Sequence, residues 1–196
     1  MEYMLKNVRI AFPALDEKQS VGDGEPAYGA KFIIPPDSAI SAAMDKIIVE
    51  VANEKWKDKA DGVLNLLKEK DKMFFLHKPY RNAKTGEPYL GFDKMWSAGA
   101  RKADMQPTIF DKFGNQVTEK EKIKALIYSG CYVNAKIDIW AQDNQYGRRI
   151  NASLLGVMFA SDGEAFGGGA PAKKEDFAGL AADPSEAMVS AGSDLV

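Results

Sequence analysis

Gly130-Cys131-Tyr132-Val133-Asn134-Ala135-Lys136-Ile137-Asp138-Ile139-Trp140-Ala141-Gln142 decides the fold. Cys131, Val133, Ala135, Ile137, Ile139 and Ala141 alternate with Tyr132, Asn134, Lys136, Asp138, Trp140 and Gln142. Successive side chains of an extended chain point to opposite faces, so this pattern predicts a strand with one apolar and one polar face. Asp143-Asn144-Gln145-Tyr146-Gly147 follows as a turn, and residues 149–160 are expected to return beside the strand.

The same period appears near the amino terminus. Residues 3–12 read as a strand with Val8, Ile10 and Phe12 on one face and Arg9 and Ala11 on the other; Pro13 predicts an extended exit. After a turn at 22–26, Tyr28, Ala30, Phe32 and Ile34 alternate with Gly29, Lys31 and Ile33, and Pro35-Pro36 stops this second strand.

Beyond Asp37 or Ser38, either of which suits a helix cap, the period lengthens. Ile40, Ala43, Met44, Ile47, Ile48, Val51, Ala52 and Trp56 recur every three to four residues, predicting a long helix over one side of a sheet. It is expected to run to Lys57, with a break at Gly62. A short helical piece and the apolar Met73-Phe74-Phe75-Leu76 follow, then a hairpin-like loop over 82–88. Strands are expected at 89–98 and 106–110, a turn at 111–115 and a short helix at 119–125.

A chain of 196 residues, 45% hydrophobic, fits one domain with an appendage. Residues 1–166 form the expected body. Residues 167–196, rich in Gly, Ala, Pro and Ser, are expected to be a flexible tail, because they offer little area to offset ordering entropy. Charge divides the same way: residues 1–160 carry a net +3 and residues 161–196 a net −5. No run of eighteen apolar residues suggests a membrane span, and the start lacks a basic-then-apolar secretion pattern. Cys131 is the single cysteine, so it can form neither an intrachain disulfide nor a thiolate zinc site. An intracellular location is expected.

Catalytic readings find little support. His77, the single histidine, has no histidine or cysteine neighbour, and Cys131 falls on the apolar strand face. The glycines at 167–169 lack the Lys-Ser/Thr of a phosphate loop. Asp93, Asp104, Asp111 and Asp138 would serve a metal-dependent nuclease only if folding gathered them, which their spacing does not require. No catalytic residue, metal or cofactor is therefore assigned.

The polar face of the 130–142 strand is more informative. Tyr132 and Trp140 offer rings on which unpaired bases stack, Lys136 a cation for phosphate, and Asn134 a hydrogen-bonding amide. On pattern alone, packing of the same two rings beneath the helix is slightly favoured. Arg148-Arg149 beside the turn and Arg101-Lys102 near Trp96 supply further positive charge, or simply solvated loops.

Several fragments, in order, resemble the bacteriophage single-stranded DNA-binding protein family once catalogued as a domain of unknown function. They are Asn7-Val8-Arg9-Ile10-Ala11-Phe12-Pro13, Gly24-Glu25-Pro26-Ala27-Tyr28-Gly29-Ala30, and Met105-Gln106-Pro107-Thr108-Ile109-Phe110-Asp111. Ile127-Tyr128-Ser129-Gly130-Cys131-Tyr132-Val133-Asn134-Ala135, Leu154-Leu155-Gly156-Val157-Met158-Phe159 and Asp162-Gly163-Glu164-Ala165-Phe166-Gly167-Gly168 complete the set. Arg148-Arg149-Ile150-Asn151-Ala152-Ser153 matches the family's basic hairpin only loosely, and the end Gly192-Ser193-Asp194-Leu195-Val196 has no dense acidic run with an aromatic tip.

The resemblance implies a β-rich α+β fold, an OB-like five-stranded barrel with a long inserted helix and additional short elements. It implies sequence-nonspecific binding and protection of single-stranded DNA during phage replication or recombination, in the cytoplasm of the infected host. The stacking residues expected are Tyr132 and Trp140, then Tyr28 and Trp96; Lys31, Arg101, Lys102, Asn134, Lys136, Arg148 and Arg149 would meet phosphates or polar groups. Phage replication or recombination proteins are the candidate partners of the tail, and a homo-oligomer is compatible. The rivals are a protein-interaction or virion structural module and, behind them, the nuclease.

Overall fold

The computed structural model describes residues 1–20 and 24–167; the expected tail beyond Gly167 lies outside the described residues. Among the described residues, seven strands and three α-helices follow one another. They are β1 (Glu2–Gln19), β2 (Ala27–Ile34), α1 (Ala39–Trp56), α2 (Ala60–Glu69), β3 (Phe75–Leu76), β4 (Trp96–Lys102), β5 (Thr108–Phe110), α3 (Lys120–Leu126), β6 (Tyr132–Asn144) and β7 (Gly147–Ser161). The strands form one sheet in the order β3-β4-β2-β1-β6-β7-β5.

This order corrects the expected five-stranded barrel. The sheet has seven strands, and its ladder begins at β3 and ends at β5 without joining. The curling sheet brings β4 near β7, and a single bridge between Met73 and Ile150 spans the gap, with Phe74 N donating to Ile150 O at 2.8 Å. One bridge satisfies few of the edge groups that a closed ladder would pair.

The apolar face of β6 is buried as its alternation demands: Cys131, Val133, Ala135, Ile137 and Ile139 are inaccessible. They share a core with Leu5, Val8 and Ile10 of β1, Phe32 and Ile34 of β2, and Leu154 and Val157 of β7. Met44, Ile48, Val51, Ala52 and Trp56 of α1 and Val63, Leu64 and Leu67 of α2 join the same core. Ser38 caps α1, its Oγ accepting from Ser41 N at 3.2 Å. The helix ends at Trp56, one residue before the expected Lys57, because Lys57 takes φ 50°, whereas Gly62, expected to mark the break beyond it, lies inside α2. None of the described helices is long and apolar enough to cross a membrane.

β1 departs most from its expected form. It continues through Pro13 to Gln19, with register shifts between Leu5 and Val8, Ala11 and Ala14, and Ala14 and Gln19. Asn7 and Phe12 occupy the left-handed region at φ 51° and 50°. Each such irregularity adds residues on one strand and reverses the inward-outward alternation beyond it. In the other direction, the strand expected at 89–98 forms later, as β4, and residues 77–95 are mostly turns.

Candidate nucleic-acid interface

The outer face of the sheet is set by register. Lys31 of β2 stands between Ala11 of β1 and Gly99 of β4, and two residues earlier Gly29 stands opposite Arg101. Ala30, Phe32, Ala98 and Ala100 alternate with them and face the core, so Lys31 and Arg101 project to the outside. The irregularity at Phe12 brings this ring to the same side, 45% exposed, instead of the core beside Ile10.

Residues 77–95 fold over this surface. Tyr89 N donates to Tyr80 O at 3.0 Å and Asn82 N to Glu87 O at 2.9 Å, closing the loop on itself. Tyr80 and Tyr89 consequently stack, with ring centroids 5.2 Å apart and planes 25° from parallel. Phe12 meets both edge-on, at 5.7 Å and 4.9 Å. Phe92, Ile33 and Ala11 form a small second core that supports the loop. The result is a cleft of about 270 Å³ whose lining, among the described residues, includes Phe12, Lys31, Tyr80, Tyr89 and Arg101 and no acidic residue.

The Lys31 ammonium lies 4.5 Å from the centre of the Tyr80 ring. Burial, and then the charge of Arg101, push its pKa below the ordinary lysine value. An arriving anion would reverse the second effect and stabilise the charged amine. Burial raises the Tyr80 phenol, with the neighbouring Tyr89 adding to it, so this ring stays neutral. Arg101 Nη2 donates to Gln19 O and Glu25 O, both at 3.1 Å, tying down the two ends of the β1–β2 connection.

Other expected contact residues spread widely. Tyr132, Asn134 and Lys136 continue the outer face on β6, but each has a local partner. Arg9 lies 5.7 Å over the Tyr132 ring, Asn134 Oδ1 accepts from Asn7 N at 2.9 Å, and Lys136 pairs with Glu2 at 2.7 Å. Trp140 is eight residues along from Tyr132, about 26 Å at the usual rise of a strand, and donates to Ser153 Oγ at 3.1 Å. Arg148 engages Asp143 at 3.1 Å, and Arg149 is exposed opposite Gln142.

Tyr28 and Lys102 face one another across β2 and β4, on the opposite side of the sheet from Lys31. Trp96 also lies on that side and stacks on His77, with centroids 4.0 Å apart and planes 10° from parallel. Lys31 and Arg101 are thus the expected residues that the fold brings into one cleft. Phe12, Tyr80 and Tyr89 were not expected there. Their sequence signal was a cluster of rings flanking the turn-rich segment 82–88, together with a proline inside a strand.

The remaining reactive groups lie apart from the cleft. Cys131 is inaccessible, and burial pushes its thiol up to about 11, which keeps it protonated at neutral pH. His77 Nε2 lies 2.8 Å from Asp45 Oδ1. The described residues contain no group of three His, Cys, Asp or Glu arranged to hold a metal ion.

Lys31 beneath a pair of stacked rings, with Arg101 beside it and no carboxylate among the described lining residues, forms a surface suited to an anion that also carries flat apolar groups. The protein belongs to the family described as Enterobacter phage Enc34, ssDNA-binding protein, whose model matches residues 1–189. It is 32% identical to protein p50 of Acyrthosiphon pisum secondary endosymbiont phage 1, over 96% of this chain and 99% of that one. It resembles the solved single-stranded DNA-binding protein of bacteriophage Enc34 with a TM-score of 0.67 and 28% identity, covering 89% of this chain and 88% of that chain. The same phage protein solved in complex with ssDNA gives a TM-score of 0.63 at 28% identity, covering 85% and 89%. The fold is also shared with gp2.5, a single-stranded DNA-binding protein of bacteriophage T7, at a TM-score of 0.53 and 14% identity, covering 94% and 96%.

Proposed function

We propose that the protein binds and protects single-stranded DNA without sequence preference and without catalysing a reaction on it, in phage replication or recombination. The observation that carries this reading is the meeting of Lys31 and Arg101 with Phe12, Tyr80 and Tyr89 in a cleft with no acidic side chain among its described lining residues. Unpaired bases expose ring faces that stack on such aromatics at about 1–3 kcal/mol each, while cations take the phosphates. A ring-lined cleft of about 270 Å³ suits a splayed base. Tyr132, Asn134 and Lys136 extend the path along the same face of the sheet.

Fluorescence anisotropy with labelled oligo-dT and an equal-length duplex, each titrated across salt, tests this function. Tight, steeply salt-dependent retention of the single strand with much weaker retention of the duplex is the expected result. Equal binding of both, or none at low salt, overturns it. The family and the complex solved for the Enc34 protein support the choice of ligand.

A further inference from the structure

The two cleft cations are seated by two glycines, in a reciprocal pattern across β2 and β4. Lys31 stands opposite Gly99, and Arg101 stands opposite Gly29. A Cβ on Gly99 would lie 2.9 Å from Lys31 Nζ, 3.2 Å from its Cδ and 3.3 Å from its Cε. A Cβ on Gly29 would lie 2.8 Å from Arg101 Cγ and 2.7 Å from Ala100 O. Neither glycine needs its conformational freedom, since neither has a positive φ. What each supplies is empty space: the length of the Lys31 side chain lies over Gly99, and the base of the Arg101 side chain lies over Gly29.

We propose that Gly29 and Gly99 are positioning residues for single-stranded DNA: their missing side chains let Lys31 and Arg101 lie close to the sheet and share one cleft, with the Lys31 ammonium beneath Tyr80. This rests on the cleft being the DNA site. An ordinary cross-strand neighbour would make a long cation stand up from the sheet, toward solvent and away from its partner. Tyr80 then acts as a lid on the Lys31 ammonium, 4.5 Å away, fixing it from above as Gly99 fixes it from below.

The two glycines differ in what a substitution would disturb. At Gly99 every close contact is with the flexible lysine side chain, so Gly99→Ala moves the ammonium and leaves the fold intact. At Gly29 the added carbon also meets the backbone carbonyl of Ala100, so Gly29→Ala perturbs the ladder as well. Gly99→Ala is therefore the informative variant.

The experiment is a double-mutant cycle on oligo-dT affinity with Gly99→Ala, Lys31→Ala and the pair, accompanied by urea unfolding of each. Gly99→Ala is expected to weaken binding about tenfold, the scale of one charged contact. It should also reduce the salt slope by about 1, as the loss of one phosphate contact requires. In the Lys31→Ala background the same change should have no further effect, because no ammonium remains to be displaced. If Lys31→Ala weakens binding and Gly99→Ala does not, or if the two losses add in full, the positioning role is overturned while the cleft stands. Should Lys31→Ala itself leave affinity unchanged, the assignment of the cleft to DNA fails first.

Discussion

The guanidinium of Arg9 sits 4.3 Å from the centre of the Phe166 ring, joining the first strand to the end of the described chain. Its Nε donates to Gly130 O at 3.0 Å and its Nη2 to Glu164 O at 2.6 Å. The chain leaving β7 is thereby held across the outer face, where Phe166 also packs against the second core beneath the cleft.

Removing this clamp should cost stability. Arg9→Ala is expected to lower the unfolding free energy by about 2 kcal/mol, the scale of charge-assisted hydrogen bonds with a ring contact. Arg9→Lys should recover little, since a single ammonium cannot reproduce the planar fork. Urea unfolding reads both, and an unchanged midpoint for Arg9→Ala would show that the clamp has no structural weight.

Lys31 should oppose stability while serving binding. Its folded pKa is lowered, so the native state disfavours the charged form that the unfolded chain carries. The native protein therefore gains stability as pH rises from this lowered value toward the ordinary lysine value near 10.5, and bears the full penalty below that window. Lys31→Met is expected to raise the urea midpoint at neutral pH and to weaken oligo-dT binding. Affinity of the unmodified protein should fall as alkaline pH removes the ammonium proton, and Lys31→Met should flatten that fall.

Asp143 links the hairpin to α1. Its carboxyl is held below the usual aspartate range, chiefly by the 2.8 Å hydrogen bond from Trp56 Nε1, with Arg148 contributing. A lowered folded pKa gives a contribution that is complete above the unfolded value and is lost as pH falls through the folded one. Trp56→Phe should bring the Asp143 titration, followed by carboxyl NMR, back up toward that of an ordinary aspartate. A titration left unmoved would assign the shift to Arg148 and Lys55 instead.

The aromatic residues should separate into two groups by DNA affinity. Tyr80→Ala and Tyr89→Ala are each expected to weaken oligo-dT binding by about tenfold or more, from the loss of a stacking surface. Trp96→Phe and Trp140→Ala should stay within about twofold, the scale of a solvent-exposed change outside the site. Trp96 belongs to the other side of the sheet and Trp140 to the far end of β6. The reverse pattern of losses would place the strand along the hairpin instead of the cleft.

How much of this was legible follows from the range of each signal. β6, β7, β2 and α1 were readable because alternation and helical period are local and uninterrupted there. The end of α1 was read to within one residue, but no break falls at Gly62, because glycine in a helix costs only about 1 kcal/mol and α2 tolerates it. Residues 77–95 gave no period, and their stacked rings meet only through turns whose hydrogen bonds no short window of sequence reveals.

The sequence by itself determined the buried face of β6, the helical cover and the family to which the protein belongs, since each depends on residues close together or on their order. Only the tertiary structure decided that the sheet stays open and which side chains share its outer face. Phe12 shows why: strict alternation puts it with Val8 and Ile10 in the core, but a left-handed residue in β1 turns it outward beside Lys31, Tyr80 and Tyr89. Lys31 and Arg101 likewise meet through the pairing of β2 with β4, across residues 35–95. A register is a property of two strands, and neither strand alone carries it.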